Sequence, residues 1–300
     1  MSKFPKLHRP LVLGVIAILV PLATMTAPAA TAEQQAQPAA LKPVHADADI
    51  PLAELGEYET EIEARLLGLA NLARAESGAP PLTLDSGLSQ AARMHAQAML
   101  DAHQLSHRFE GELSVPQRLA AKTHLQLDQE AENVALDFSA DGGHEHLMLS
   151  PPHRANLLNP TYNVVGLGVV RSGNRLYIVQ DFGHALASYS LGEFQERIAA
   201  AVNQMRRQAN RPELRQLEIP DADDAACSMA RSDKLGTAAV YHLAERYTVL
   251  TFTTLRPEAL PADATRAITG PNLRGVSIGV CYARTDTYPT GMYWVVLSLD

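Results

Sequence analysis

The sequence predicts an α/β fold: a three-layer α-β-α sandwich, followed by a second and more degenerate copy of the same fold. Apolar residues recur at helical spacing between residues 57 and 104. Two apolar strands, VVGLGVV and LYIVQDF, are joined by an SGN turn, and the order of elements repeats after residue 190. Helices on both sides of a small antiparallel sheet bury their apolar faces most simply as three layers.

The chain begins with a basic and apolar leader. Residues 3–9 carry three basic side chains, residues 11–20 are apolar, and Ala30-Thr31-Ala32 gives an A-x-A cleavage pattern. We expect a signal peptide over residues 1–32, cleaved after Ala32, which directs the protein to the periplasm or outside the cell. The alternative is an uncleaved anchor, but the apolar run is short for a membrane span.

Charge and composition narrow the classes of partner. Removing the leader changes the formal charge from −8 to −11, because the leader holds three basic and no acidic residues. Nucleic-acid binding needs clustered Lys and Arg, so it is not expected. Residues 33–56 are rich in Ala, Pro and Gln and predict a flexible linker. We therefore expect two folded domains, at residues 57–188 and 189–300, with no membrane span after cleavage.

Residues that start or end helices and strands set the predicted elements of the first domain. A helix from Glu57 ends at Gly78, and an Asp85 N-cap starts a second helix. Further predictions are a short extended piece at 82–84, a loop over 107–133 with a helix near 115–122, an undecided strand or helix at 134–138, a helix at 143–149, a helical turn after Pro151-Pro152, and two strands ending at Phe182.

The second domain repeats this order with its polar residues replaced. Residues 165–169 align with 276–280 at an offset of 111. In this alignment, Ala264 of the second domain corresponds to His153 of the first. Tyr247 corresponds approximately to Glu132, and Tyr241 approximately to His107. Cys227 and Cys281, both in this domain, are expected to form a disulfide in an oxidising compartment, the alternative being two buried thiols.

Three polar residues interrupt the apolar pattern of the first domain: His107 in LSHRF, Glu132 in AENVA and His153 in SPPHRAN. Two imidazoles and a carboxylate suit a divalent metal such as Zn or Ca, with a position left for water. Without metal, the same groups suit a hydrogen-bonded network in a cleft wall. No nucleophile stands out, because neither Ser106, beside His107, nor Ser150, near His153, lies in a G-x-S-x-G elbow.

In this order, the pieces LLGLANLARAESGAPPLT, SH, AENVA, SPPHRANLLNP, VVGLGVV and LYIVQDFG resemble the CAP superfamily of cysteine-rich secretory, antigen five and pathogenesis-related proteins, in its bacterial secreted branch. The resemblance covers about 57–183. It implies a cleft lined by two histidines, here His107 and His153, and two acidic residues, one being Glu132. Ser150 occupies the position of the other acidic residue, and Glu145, about one helical turn upstream, is the candidate to replace it.

The function expected from these features is an extracytoplasmic binding module. Its cleft, lined by the five residues just named, would hold a small molecule, lipid, peptide or cell-envelope fragment. The alternative is a divalent-metal-dependent hydrolase in which His107, Glu132 and His153 hold the ion and activate water.

Overall fold

The computed structural model describes residues 58–300, so the predicted signal peptide and linker lie outside it. The first half of the described chain, residues 58–188, contains four strands and five helices. These are α1 Thr60–Ser77, β1 Thr83–Leu84, α2 Ser86–Ala102, α3 Val115–Ala120, β2 Leu127–Asp137, α4 Ala140–Leu149, α5 Pro151–Leu157, β3 Val164–Ser172 and β4 Arg175–Ala185.

The predicted helix boundaries have identifiable local causes. Helix α1 ends at Gly78, which takes a φ of +76° at the C-cap, a conformation that glycine adopts without steric cost. The Asp85 carboxylate accepts a hydrogen bond from the Leu88 backbone N–H at 2.8 Å and starts α2. Helix α2 ends at His103, whose φ is +51°. Both predicted ends of α2 are therefore close to the observed ones.

The four strands form one sheet in the order β1-β3-β4-β2, with β1 parallel to β3 and the other pairs antiparallel. Alternate residues of β4 face opposite sides. Leu176, Ile178 and Phe182 pack with α1, α4 and α5, while Tyr177 and Val179 pack with α2. Helices thus cover both faces of the sheet, which confirms the predicted three-layer sandwich.

Helix α2 lies unusually close to β3, and glycine makes the approach possible. A Cβ placed on Gly168 would lie 2.2 Å from the Ala92 carbonyl carbon. A Cβ on Gly166 would lie 2.1 Å from the Leu88 carbonyl carbon. The GLG sequence inside this strand therefore serves helix–sheet packing, and it is not a phosphate-binding loop.

Strand β2 is longer than the sequence indicates. Residues 127–133 were predicted as loop, yet they pair with β4, and β4 itself continues to Ala185. The stretch LDQEAEN has few β-branched or aromatic residues, so its strand conformation comes from cross-strand pairing and burial, which a propensity reading misses. This correction places Glu132 on a strand.

The second half, residues 189–300, has the same strand order. Its elements are α6 Leu191–Gln208, β5 Arg215–Gln216, α7 Asp221–Ser232, α8 Tyr241–Ala244, β6 Thr248–Thr254, α9 Thr265–Ile268, β7 Gly275–Ala283 and β8 Met292–Leu299. The sheet runs β5-β7-β8-β6. Cys227 of α7 and Cys281 of β7 form a disulfide with a Cα–Cα distance of 5.0 Å, which confirms the predicted pairing and joins this helix to the sheet.

A buried arginine recurs at matching places in the two halves. Arg74 and Arg206 are both fully buried, and each guanidinium donates to backbone carbonyls. The acceptors of Arg74 include Leu157 and Asn159, and those of Arg206 are the corresponding residues at an offset of 111, Ile268 and Gly270. Among the described residues, no helix is long and apolar enough to cross a membrane.

Candidate functional site

The polar residues singled out in the sequence lie on three elements near one edge of the first sheet. Glu132 is on β2, the last strand in the sheet order. His107 lies in the loop between α2 and α3, and His153 is on α5. An edge strand is accessible to groups from both layers of helices, so these elements can meet there.

Glu132 is buried and both of its carboxylate oxygens have partners. Oε1 accepts a hydrogen bond from His107 Nδ1 at 2.8 Å, and Oε2 accepts a short one from Arg118 Nη2. Arg118 Nη1 also donates to the His107 carbonyl at 3.1 Å. We call His107, Arg118 and Glu132 the cleft network. It pairs one buried carboxylate with a buried cation and leaves the His107 side chain 57% exposed.

Fully buried polar groups support the cleft network from α2. His95 Nδ1 lies 2.7 Å from Glu112 Oε1, and His95 Nε2 lies 2.8 Å from the Ser106 carbonyl. Glu112 in turn accepts from the Phe109 backbone N–H at 2.9 Å. The loop that carries His107 is therefore held by side-chain bonds. His95 is a fully buried, packed residue.

Two asparagines, Asn133 and Asn156, hold the backbone around His153 in position. Asn133, next to Glu132 on β2, donates from Nδ2 to the His153 carbonyl at 3.1 Å. Asn156 donates from Nδ2 to Asn133 Oδ1 at 2.9 Å. Helix α5 is thus fixed to β2 through the EN and HRAN stretches, and the half-buried His153 imidazole is positioned by α5.

A second carboxyl group lies beside Glu132. Asp181 of β4 is directly opposite Glu132 in the antiparallel register and is fully buried. Within the described residues, neither Asp181 oxygen has a hydrogen-bond donor. Burial, followed by the nearby Glu132 charge, raises the pKa of the Asp181 carboxyl well above its usual range. Burial and the neighbouring Glu132 charge therefore favour the neutral form of the Asp181 carboxyl.

The two cleft histidines are shifted in opposite directions. The hydrogen bond to Glu132 raises the pKa of His107 above 6.5, its ordinary value. Burial, reinforced by the nearby His107, lowers the pKa of His153 below the same value. The Glu132 hydrogen bond thus favours the charged, donating form of His107, and burial favours the neutral form of His153, which has an acceptor nitrogen.

Ser150 and Glu145 have more distant positions. Ser150 is the N-cap of α5, and its backbone N–H bonds to the His146 carbonyl at 3.2 Å. Glu145 is exposed on α4, where its charge acts on His146. No hydrogen bond or ion pair joins Glu145 to the cleft network in the described part of the chain. Its role as a replacement carboxylate stays a prediction.

The arrangement does not fit a metal held by all three predicted ligands. His107 and Arg118 already engage the two Glu132 oxygens, and a cation at Arg118 opposes a second one nearby. Across residues 58–300, no three His, Cys, Asp or Glu side chains are grouped to hold a metal ion. Zn or Ca binding stays a prediction, and no chemical step is derived from it.

The registers of the two sheets correct the sequence alignment of the second half. In β6 and β8, Val249 pairs with Ser298, and Ser277 of β7 pairs with the same serine. Glu132 therefore corresponds to Val249, two residues beyond the predicted Tyr247, and Asp181 corresponds to Ser298. With Ala264 fully buried at the position of His153, the second half lacks these ionisable groups.

Arg118 and Asp181 were not among the candidate residues identified in the sequence. Arg118 lies in α3, whose start is set by a capping box between Ser114 and Gln117. The available signal was an arginine inside a short capped helix between His107 and Glu132. Asp181 was visible as a charged residue in an apolar strand, which indicates a buried partner.

Comparisons with known proteins match part of the first half of the chain. Residues 67–182 match the model of the cysteine-rich secretory protein family, CAP. The protein YkwD of Bacillus subtilis (strain 168) is 30% identical over 113 residues, covering 37% of this chain and 44% of that relative. The chain thus spans less than half the length of this curated relative.

Solved structures give a similar picture. An extracellular protein containing an SCP domain from Bacillus anthracis str. Ames is 24% identical, covering 42% of this chain and 41% of its own, with a TM-score of 0.39. A cysteine-rich secretory protein from Staphylococcus aureus subsp. aureus Mu50 is 22% identical, covering 45% and 41%, with a TM-score of 0.34. Because both scores are below 0.5, the assignment rests on the sequence matches. Over residues 67–182, this chain is thus similar to the cysteine-rich secretory protein (CAP) family.

Proposed function

We propose that the protein is an extracytoplasmic binding module whose first half holds a ligand at the cleft around His107, Glu132 and His153. The carrying observation is that Glu132 is buried with both oxygens bonded, while the His107 imidazole is exposed. A carboxylate held by an arginine and a histidine is a satisfied structural group. The exposed imidazole remains free to contact a ligand.

The electrostatics of the two histidines indicate the chemistry of that ligand. His107 favours the charged form, and His153 favours the neutral form. A cationic donor next to a neutral acceptor suits a polar head group with an anionic oxygen beside a hydroxyl or amide N–H. Lipid head groups, peptides and cell-envelope fragments all carry such groups, which supports the ligand classes expected from the sequence.

An extracytoplasmic location has three supports. The sequence predicts a cleaved leader, and the Cys227–Cys281 disulfide suits an oxidising compartment. The relative from Bacillus anthracis is described as extracellular.

We further propose that residues 189–300 are a degenerate CAP copy. The identical strand order and the matching contacts of Arg74 and Arg206 support this interpretation.

A binding experiment tests the proposed function. The ¹⁵N-labelled chain is titrated with palmitate, trialanine or a disaccharide-peptide fragment of peptidoglycan, and NMR shifts are followed. We expect one class to perturb the His107 and His153 rings, and His153→Ala to weaken that binding at least tenfold. Glu196→Gln, at an exposed position of α6, is the matched control. If no probe shifts these rings, the proposal is wrong.

The hydrolase alternative makes a different prediction from the same site. It requires turnover of a bound probe that is abolished by His153→Ala in a folded variant. The engaged oxygens of Glu132 favour binding, because a general base needs a free lone pair facing the substrate or its water.

A further inference from the structure

One backbone segment connects the two charged groups of the cleft network. Residues 120–127 run from the last residue of α3, the helix that carries Arg118, to the first residue of β2, the strand that carries Glu132. We call these residues the α3–β2 segment. Its position fixes where α3 lies against β2, and so governs whether Arg118 reaches the Glu132 carboxylate.

Arg284 of the second half contacts this segment at its start. Its Nη1 donates a short hydrogen bond to the Ala120 carbonyl, and its Nη2 donates to the Thr123 carbonyl at 2.7 Å. Ala120 is the last residue of α3, where helix carbonyls lack partners within the helix. A guanidinium there satisfies the carbonyl and also matches the negative end of the helix dipole.

The far end of the segment is held by buried groups of the second half. Thr290 Oγ1 donates to the Leu127 carbonyl at 3.0 Å. Gln126 Nε2 donates to Tyr293 Oη at 3.1 Å, and this hydroxyl donates to the Tyr189 carbonyl at 2.8 Å. Tyr293 is itself fixed in the second core, where its ring stacks on another aromatic ring.

The first half encloses the segment from the other side. A Cβ on Gly87 of α2 would lie 2.4 Å from the Lys122 carbonyl oxygen, so α2 and the segment are in direct backbone contact. The α3–β2 segment is thus enclosed between α2 and donors from the second half.

We infer that the second half braces the cleft: Arg284 and Thr290 are positioning residues that hold the α3–β2 segment and thereby keep Arg118 on Glu132. The second half lacks the polar cleft residues, and this gives it a role that does not require a ligand site of its own. The inference does not depend on which ligand the cleft binds.

The test uses the intact ¹⁵N-labelled chain with Arg284→Ala, Arg284→Lys and, as control, Arg266→Ala, an exposed arginine on α9. In Arg284→Ala we expect amide exchange in the α3–β2 segment to be about five-fold faster, with exchange in α6 unchanged. We also expect the His107 NMR titration midpoint to rise, because Arg118, whose charge lowers the His107 pKa, contacts Glu132 less often. Arg284→Lys should keep exchange in the segment and the His107 midpoint closer to their wild-type values than Arg284→Ala does.

A folded Arg284→Ala variant with wild-type exchange in the segment and an unchanged or lowered His107 midpoint would overturn the inference. If Arg284→Ala does not fold, Thr290→Val takes its place, because it removes only the buried hydroxyl that bonds to the Leu127 carbonyl. Amide exchange in the segment and the His107 midpoint are then measured in Thr290→Val, and the same outcomes support or overturn the inference.

Discussion

Asp181 and Glu132 lie opposite each other across the β2–β4 pair, on the side of the sheet that faces α2. Arg118 neutralises Glu132, and Asp181 forms no ion pair within residues 58–300. Two buried carboxyl groups this close cannot both ionise without large cost, so one retains its proton. Burial, followed by the Glu132 charge, raises the pKa of Asp181, so the neutral form is favoured at this residue.

This arrangement predicts how stability depends on pH. A carboxyl group with a raised pKa contributes stability that is full below its unfolded pKa and is lost as pH rises through the folded pKa. Asp181→Asn keeps a donor for Glu132 and removes the ionisation. We therefore expect this variant to be about 1–3 kcal/mol more stable than wild type at pH 7, with the advantage disappearing near pH 4.

Urea unfolding of Asp181→Asn and wild type at several pH values measures this difference. Ser298→Asn, at the corresponding site of the second half, is the matched control and should not gain stability with pH. Equal pH dependence in Asp181→Asn and wild type would mean that Asp181 is ionised in the folded protein.

The His107 pKa depends on Glu132. The groups that face the imidazole are Glu132, Arg118 and His153, and the hydrogen bond to Glu132 is the largest influence. Glu132→Gln should therefore lower the His107 pKa toward or below 6.5, while exposed Glu145→Gln leaves it unchanged. NMR titration of the imidazole signals gives both values, and an unchanged pKa in Glu132→Gln would contradict the network.

The same shift has a consequence for stability. Because the folded pKa of His107 is raised, its contribution is fully present below the unfolded value and is lost as pH rises through the folded pKa. Glu132→Gln should therefore lose more stability at pH 5.5 than at pH 8, which chemical unfolding at the two pH values measures.

The sequence predicted the layers and most elements of the first half, because those depend on local signals. Gly78 ends α1 and Asp85 starts α2 through their own backbone and side-chain chemistry. Strand β2 was missed because its residues pair through tertiary contacts that its composition does not show. His107, Glu132 and His153 were identifiable as polar breaks in apolar patterns.

The partners of these residues were harder to predict. Arg118 and Asp181 reach Glu132 from α3 and β4, and only the strand register and the packing of α3 place them there. The register also shifts the second-half equivalent of Glu132 from Tyr247 to Val249. The alignment of the two halves by sequence had no matching motif between the helices and this strand, so it could not set the register of β6.

The disulfide stabilises the second half by closing a long loop. Its cysteines are separated by 54 residues in sequence. Replacing both Cys227 and Cys281 with Ala should cost about 2–4 kcal/mol, through the greater entropy of the unfolded chain. Calorimetry of the double variant measures the cost, and a mass two hydrogens below the thiol form confirms the bond. Two alkylatable thiols in the unreduced protein would exclude it.

The two buried arginines, Arg74 and Arg206, should contribute different amounts to the free energy of unfolding. Arg74 donates to four carbonyls, at Pro80, Leu157, Asn159 and Tyr162. Arg206 donates to three, and its Nη2 has no partner among the described residues. Arg74→Lys should therefore destabilise the protein by about 3 kcal/mol, and Arg206→Lys by less. Paired urea unfolding curves test this order, and a larger cost at Arg206 would contradict it.

The most direct test of the binding-module account is whether a probe that binds to the protein is recovered unchanged or cleaved. Intact protein and His153→Ala are incubated with the disaccharide-peptide fragment, trialanine or palmitate, and the mixtures are analysed by mass spectrometry. We predict that the probe which binds is recovered unchanged, and that less of it is retained by His153→Ala. Accumulation of a cleaved product with wild type, absent with a folded His153→Ala variant, would contradict the account and establish a hydrolase.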